Sequence, residues 1–423
     1  MDHSIIKQVI YDQREVIRTS QIVERDYFFE EGANYISVGM RRAGKSTLLY
    51  QRALELIDSG VGWDQIIYLN FEDERLAEFD LSDFNDIVQT AAELTDNRAY
   101  YFLDEVQNIT GWERFARRMA DAHECVYITG SNASMLSGEM AQRLGGRYLV
   151  REVMPYSFEE YLDAKGVRHD EEALYATRLN GKVRAAAETY LETGGLPESV
   201  NYQNRRVYAE SVYQKVLLGD IAARYAIRNL HALRVLMKKV AETVTSDVTF
   251  GRLRKAVTAT GVNCSTDAVI SYVNYAVEAY LLFNAKNYVA KFSEREGASK
   301  YYFMDNGLLA LFLIDKKSLL LENAVACDLR RRHGDELWFL KSSKNRIDVD
   351  FYIPQEDAAV QVCLVLDEGD FDRETSSLVA LASDERLAPK RLVIVTLSDD
   401  ERIIEVGGAK IEVMPLYRWL LRK

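Results

Sequence analysis

The run Gly39-Met40-Arg41-Arg42-Ala43-Gly44-Lys45-Ser46-Thr47 constrains this chain more than any other. It fits G-x-x-x-x-G-K-[ST], the phosphate-binding P-loop. Gly39 and Gly44 let the backbone curl, so that the N–H groups of the stretch through Arg42 and Ala43 point at phosphate oxygens. A helix starting at Lys45 adds its positive dipole end. Lys45 brings a mobile charge to the β- and γ-phosphates; Ser46, followed by Thr47, offers a hydroxyl to Mg²⁺. The motif needs a strand before it and a helix after it. Asn34–Val38 supplies the β-rich run, and Leu48, Leu49, Ala53, Leu54 and Leu56 follow at helical spacing.

Further short apolar runs read as strands at 66–70, 99–103, 125–129 and 148–153, with helical patterns between the earlier ones. Such alternation predicts a mostly parallel sheet covered by helices. The third run leads into Asp104-Glu105. Behind a P-loop, Asp104 is expected to hold Mg²⁺ and Glu105 to orient the attacking water. The fourth run leads into Ser131 and Asn132, placed to sense the γ-phosphate from a strand's carboxyl end. Arg143 and Arg147 are candidates for stabilising transferred charge, and Arg147, after two glycines, is preferred.

Net charge is −12, which argues against indiscriminate nucleic-acid binding. Yet residues 201–260 hold eleven Lys/Arg against four acids, a local +7. Four scattered cysteines and five isolated histidines predict neither a disulfide framework nor a zinc site. No window is long and apolar enough to span a membrane, and the N-terminus lacks the pattern of a secretory signal. A cytoplasmic location is expected.

GMRRAGKST, YLNFEDERL, YFLDEVQNITGWERF, ITGSNASML, GGRYLVREVMPYSFEEYL and GGLPESV occur in that order. The chain resembles prokaryotic AAA-type ATPases that carry an uncharacterised C-terminal region, densely over 30–200 and more thinly afterwards. The resemblance implies nucleotide binding by Gly39, Gly44, Lys45, Ser46 and Thr47. It makes Asp104 and Glu105 the metal and water residues, and places sensor and arginine elements at Ser131/Asn132 and Arg147. Glu72 and Asp73 match an acidic pair without a derivable role.

Residues 161–205 are mostly helical by pattern and end in Gly194-Gly195-Leu196-Pro197; the resemblance implies a lid or connector here, and the glycines either stop a helix or form a hinge. Over 206–310, short helices precede two strands near Tyr280 and Lys300, a winged-helix pattern in which Ala268–Glu278 is the recognition-type helix. The local charge makes DNA a candidate partner. Residues 318–423 read as helix, three strands, helix, strand, which resembles the restriction-endonuclease-like fold. Such nucleases place an acid on the second strand and acid-x-Lys on the third. Asp350, with Asp348 two residues earlier, meets the first need, but Gln361 and Cys363 stand where the carboxylate and lysine belong. This part is expected to be inactive as a nuclease.

The expected fold class is therefore α/β: a P-loop NTPase core over 1–160, the connector, the winged-helix region and the nuclease-like α/β unit. The expected activity is ATP hydrolysis with Mg²⁺, coupled to a recognition platform and compatible with a homo-oligomer. A slow nucleotide-gated switch or scaffold is the alternative, and an ATP-dependent nuclease a weaker one.

Overall fold

The computed structural model describes residues 1–131, 143–314, 316–369 and 371–422. They divide into two units, Met1–Met154 with Glu278–Tyr280, and Pro155–Val277 with Leu281–Lys423.

In the first unit the five apolar runs become β1 (Asn34–Val38), β2 (Ile66–Asn70), β3 (Tyr100–Asp104), β4 (Cys125–Gly130) and β5 (Tyr148–Glu152). They form one parallel sheet in the order β2-β3-β4-β1-β5. Ile36, Val38, Ile67, Leu69, Phe102, Leu103 and Ile128 are fully buried, as expected for parallel strands covered on both faces. Helix α1 (His3–Thr19) is capped by Asp2 and buries Ile6, Val9, Ile10 and Ile17 at helical spacing. Its one buried charge, Arg14, donates to the carbonyls of Asp64 and Ile66. Helices α2 (Lys45–Asp58), α3 (Phe84–Leu94) and α4 (Trp112–Asp121) complete the main layers. The strand order positions the site. β4 lies between β1 and β3, so its carboxyl end reaches both the P-loop after β1 and the acidic pair at the end of β3.

The second unit carries a nine-stranded mixed sheet. Its strands are β6 (Val248–Thr249), β7 (Leu282–Asn287), β8 (Ala298–Phe303), β9 (Trp338–Ser342), β10 (Ile347–Ile353), β11 (Ala358–Val362), β12 (Arg391–Thr396), β13 (Arg402–Val406) and β14 (Ala409–Pro415). The order is β13-β14-β12-β11-β10-β9-β7-β8-β6. Helices Leu230–Ala241, Phe250–Thr258 and Thr266–Glu278 precede the antiparallel pair β7/β8, with two-residue β6 added against β8. β7 then pairs in parallel with β9, so this hairpin continues directly into the C-terminal strands. Helix Lys317–His333, strands β9–β11, helix Phe371–Ala382 and β12 follow the expected helix, three-strand, helix, strand sequence. The third of these strands, β11, ends at Val362. Beyond 396 the chain adds the β13/β14 hairpin and helix Leu416–Leu421, which no expectation covered.

The Gly194-Gly195 pair sits against Asp305. The Asp305 carboxylate accepts the N–H of Gly195 at 2.7 Å and of Gly307 at 2.8 Å. Gly194 has φ +71°, and a Cβ there would lie 2.1 Å from a carboxylate oxygen of Asp305. These glycines are a close-packed joint within the second unit.

Candidate nucleotide-binding site

The P-loop leaves β1 at Gly39. A Cβ at that position would stand 2.2 Å from the Val153 carbonyl oxygen, and φ is +150°, so only glycine fits. Arg42 adopts the left-handed region, and Gly44 caps α2 in the same conformation. Lys45 opens α2, is buried, and donates from Nζ to the carbonyls of Gly39 and Met40, each at 3.1 Å. Ala43 is fully buried behind the loop.

Side-chain bonds tie this loop to its surroundings. The buried Arg25 guanidinium donates to the Ala43 carbonyl at 3.0 Å and to the Met154 carbonyl at 2.8 Å. Gln51, on α2, brackets the Arg25 backbone on both its N–H and its C=O, each at 3.0 Å. Arg41 pairs with Glu72 at 2.9 Å, which gives the acidic residue after β2 a partner on the P-loop. Asp73 instead caps a short turn and pairs with Arg75.

Asp104 is fully buried at the end of β3. Its carboxylate accepts from the Thr129 hydroxyl and from the Tyr68 hydroxyl at 2.8 Å, and the Ser46 hydroxyl of the P-loop stands close enough to favour its charge. Burial and the neighbouring Glu105 charge push its carboxyl up, while the three hydroxyls pull it down. Glu105 follows with φ +52°, a left-handed conformation uncommon outside glycine. Its N–H donates to the Thr129 hydroxyl at 2.9 Å. Its carboxylate lies 3.7 Å from Lys45 Nζ and accepts from Gln107 at 2.5 Å. Burial opposes the charge on Glu105, but Lys45, Gln107, Arg41 and Ser131 outweigh it and hold the carboxyl below its ordinary value. Gln107 also reaches the buried Ser131 hydroxyl at 3.4 Å.

The structure therefore gathers Gly39, Arg42, Ala43, Gly44, Lys45, Ser46, Asp104, Glu105 and Ser131 around one strand end; Thr47 stands in the first turn of α2. Asn132 lies outside the described residues. Arg147 pairs with Asp121 and donates to the Gly145 carbonyl at 3.2 Å. Arg143 pairs with Glu113 at 2.7 Å. Sequence reasoning missed Thr129, Tyr68, Gln107 and Arg25. A polar side chain beside a strand end signalled Thr129; Tyr68 stands in mid-strand, and nothing in the local sequence marked it or Arg25.

A buried acid at the strand end beside the P-loop, and a second acid facing the P-loop lysine, form the phosphate site of a P-loop nucleotide-binding domain. Residues 33–162 match the protein-family model described as an AAA domain, and residues 184–318 match one described as a domain of unknown function, DUF8612. Over nearly its whole length the chain is similar to two uncharacterized proteins. One, of Methanocaldococcus jannaschii, is 28% identical across 99% of this chain and 95% of the relative. The other, of Haemophilus influenzae, is 29% identical across 91% and 93%. The Walker-type ATPase of Pyrococcus abyssi superposes loosely, with a TM-score of 0.40 and 12% identity over 71% of this chain and all of that one. Among the described residues no helix is long and apolar enough to cross a membrane.

Proposed function

We propose that the chain binds ATP with Mg²⁺ at the P-loop and hydrolyses its β–γ phosphoanhydride. The observation that carries this reading is the Glu105 carboxylate 3.7 Å from the P-loop's Lys45, beside the fully buried Asp104 at the same strand end. The P-loop amides and Lys45 bind and charge-balance the triphosphate. Ser46 and Asp104 are two adjacent hard oxygen donors and fit Mg²⁺, which supplies charge neutralisation at the phosphate oxygens when bound. Glu105 orients the attacking water and draws its proton, and Ser131 and Gln107 keep its carboxylate aimed. Phosphate release by the wild type beside Lys45→Ala and Glu105→Gln tests this. Release no greater than that of either variant would overturn it.

A second reading has its own observation. Of the eleven Lys/Arg in 201–260, only Lys239 is in an ion pair among the described residues, with Glu242 at 2.9 Å. Lys215, Arg224, Arg228, Arg234, Lys238, Arg252 and Lys255 are exposed. Three helices followed by β7/β8, with β6 joining the hairpin, support a winged-helix module, and uncompensated cations on it support contact with a polyanion such as DNA. Helix Thr266–Glu278 has no Lys or Arg, so the contact falls on phosphates rather than base edges. Gel-shift titration of duplex DNA tests it, and absence of a complex at low salt would reject it. Hydrolysis would then couple nucleotide state to this platform. Arg143 and Arg147 pair with Glu113 and Asp121, so the reading gives neither a role at the γ-phosphate.

A further inference from the structure

The nuclease-like reading of the C-terminal part leads one to expect a divalent metal between its carboxylates. The structure puts two of them together: Glu322, on helix Lys317–His333, and Asp350, on β10. Between them stands a cation from a strand no nuclease pattern would search. Lys300, on β8, is 3% exposed, and its Nζ lies 2.9 Å from Asp350 Oδ1 and 3.1 Å from Glu322 Oε1.

Both carboxylates have further partners. Glu322 Oε1 accepts from the Tyr302 hydroxyl at 2.8 Å, and Asp350 Oδ2 accepts from the Val362 N–H at 3.0 Å. Gln361, in the third-strand position, donates to Glu374 at 3.0 Å and accepts from the Asp350 N–H at 3.4 Å. Mg²⁺ requires oxygens at about 2.0–2.1 Å in octahedral array, so it could enter only by displacing the ammonium. Phe339 lies on another side of Nζ, with its ring centroid 5.6 Å away.

Charge balance agrees with this geometry. Burial alone would strip Lys300 of its proton, but Asp350 and Glu322 hold it firmly protonated. Burial and the Asp350 charge push the Glu322 carboxyl up to about 7, against the pull of Lys300. The Lys300 ammonium thus sits where a bridging cation would, held by both acids.

We propose that Lys300 is the resident cation of this site: its ammonium holds Glu322 and Asp350 together in place of a divalent metal, and this part of the chain performs no metal-dependent cutting. The same contact ties the β7/β8 hairpin to helix Lys317–His333 and β10, along the seam where the nine-stranded sheet joins its two halves. The inference does not depend on ATP binding, because the P-loop lies in the other unit.

The test is a Mn²⁺ titration of full-length, nucleotide-free protein, with free Mn²⁺ read by electron paramagnetic resonance. Wild type and Asp350→Asn should bind the same number of ions, since no wild-type site uses Asp350. Lys300→Ala should gain one site, at least about tenfold tighter than any in the wild type, by exposing two carboxylates to each other. Lys300→Ala with Asp350→Asn should lose it. A wild-type Mn²⁺ site abolished by Asp350→Asn would overturn the proposal, and so would a folded Lys300→Ala that gains none. If Lys300→Ala does not fold, the comparison of wild type with Asp350→Asn decides alone. Nicking of closed-circular DNA in Mg²⁺ or Mn²⁺, lost in Asp350→Asn, would also overturn it.

Discussion

The Thr129 hydroxyl donates to the Asp104 carboxylate, and the same oxygen accepts the N–H of Glu105 at 2.9 Å. One side chain from β4 thus fixes both acids of the neighbouring strand. It also supports the left-handed turn that aims Glu105 toward Lys45. Thr129→Val removes both bonds while keeping the shape. Outer contacts of this kind typically carry about tenfold to a hundredfold in activity. Turnover should therefore fall by about that much with ATP affinity little changed, and Thr129→Ser should restore most of it. Steady-state ATPase assays beside nucleotide titrations read the split; loss of affinity with unchanged turnover would contradict the assignment.

Arg25 stands behind the P-loop. Arg25→Met leaves the buried carbonyls of Ala43 and Met154 without their donor, at about 1–3 kcal/mol for each group left unsatisfied. Denaturant unfolding should show that loss, and fluorescent-nucleotide binding should weaken because the loop loses its backing. Arg25→Lys should rescue little, since one ammonium does not reproduce a planar fork reaching two carbonyls. Full recovery in Arg25→Lys would mean that charge alone matters there.

Asp305 makes the second unit sensitive to pH. Burial raises its carboxyl to about 6, against the pull of the N–H groups of Gly195, Gly307 and Leu308. A carboxyl whose folded value exceeds its unfolded value binds its proton more readily in the native state. Its contribution to stability therefore grows as pH falls from above 6 toward 4, by about 1–3 kcal/mol in all. Glu322 acts in the same direction at about pH 7, so the comparison must be made by difference. Unfolding free energies of wild type and Asp305→Asn at pH 7 and pH 5 isolate the term. The wild type should gain relative to the variant at pH 5; equal shifts in both would remove Asp305 from the account.

Strands β1–β4 of the N-terminal sheet were legible because they are buried on both faces and read as unbroken apolar runs bounded by polar residues. The P-loop and Asp104-Glu105 were legible because their chemistry is local in sequence. Thr129 was visible only as a polar strand end; its role required knowing that β4 lies between β1 and β3, which is a matter of topology. Arg25 and Lys300 were not legible, since their partners lie 18 to 129 and 22 to 50 residues away. Gly194-Gly195 looked like a hinge because glycine signals freedom and close packing alike, and only the position of Asp305 separates the two. The last hairpin, β13/β14, is short and carries exposed charges, so its alternation was too weak to notice beside β12.

The basic helices of the second unit lead to the remaining prediction. Cations that face solvent without acid partners gain little by folding, and their free energy is realised when they replace counterions on a polyanion. If Arg234, Lys238, Arg252 and Lys255 meet phosphates, log K for duplex DNA should fall linearly with log salt, at a slope of about 0.9 per contact. Replacing each of the four by Gln should lower the slope by about one and weaken all sequences alike. Helix Thr266–Glu278 carries two acids, Asp267 and Glu278, and offers no Arg or Lys for the bidentate pairing with guanine that discriminates base pairs. Competition between unrelated duplexes should therefore show no preference. Fluorescence anisotropy across a salt series measures both quantities. A slope unmoved by all four substitutions would place any DNA contact elsewhere on the chain, and a strong sequence preference would contradict a phosphate-only contact.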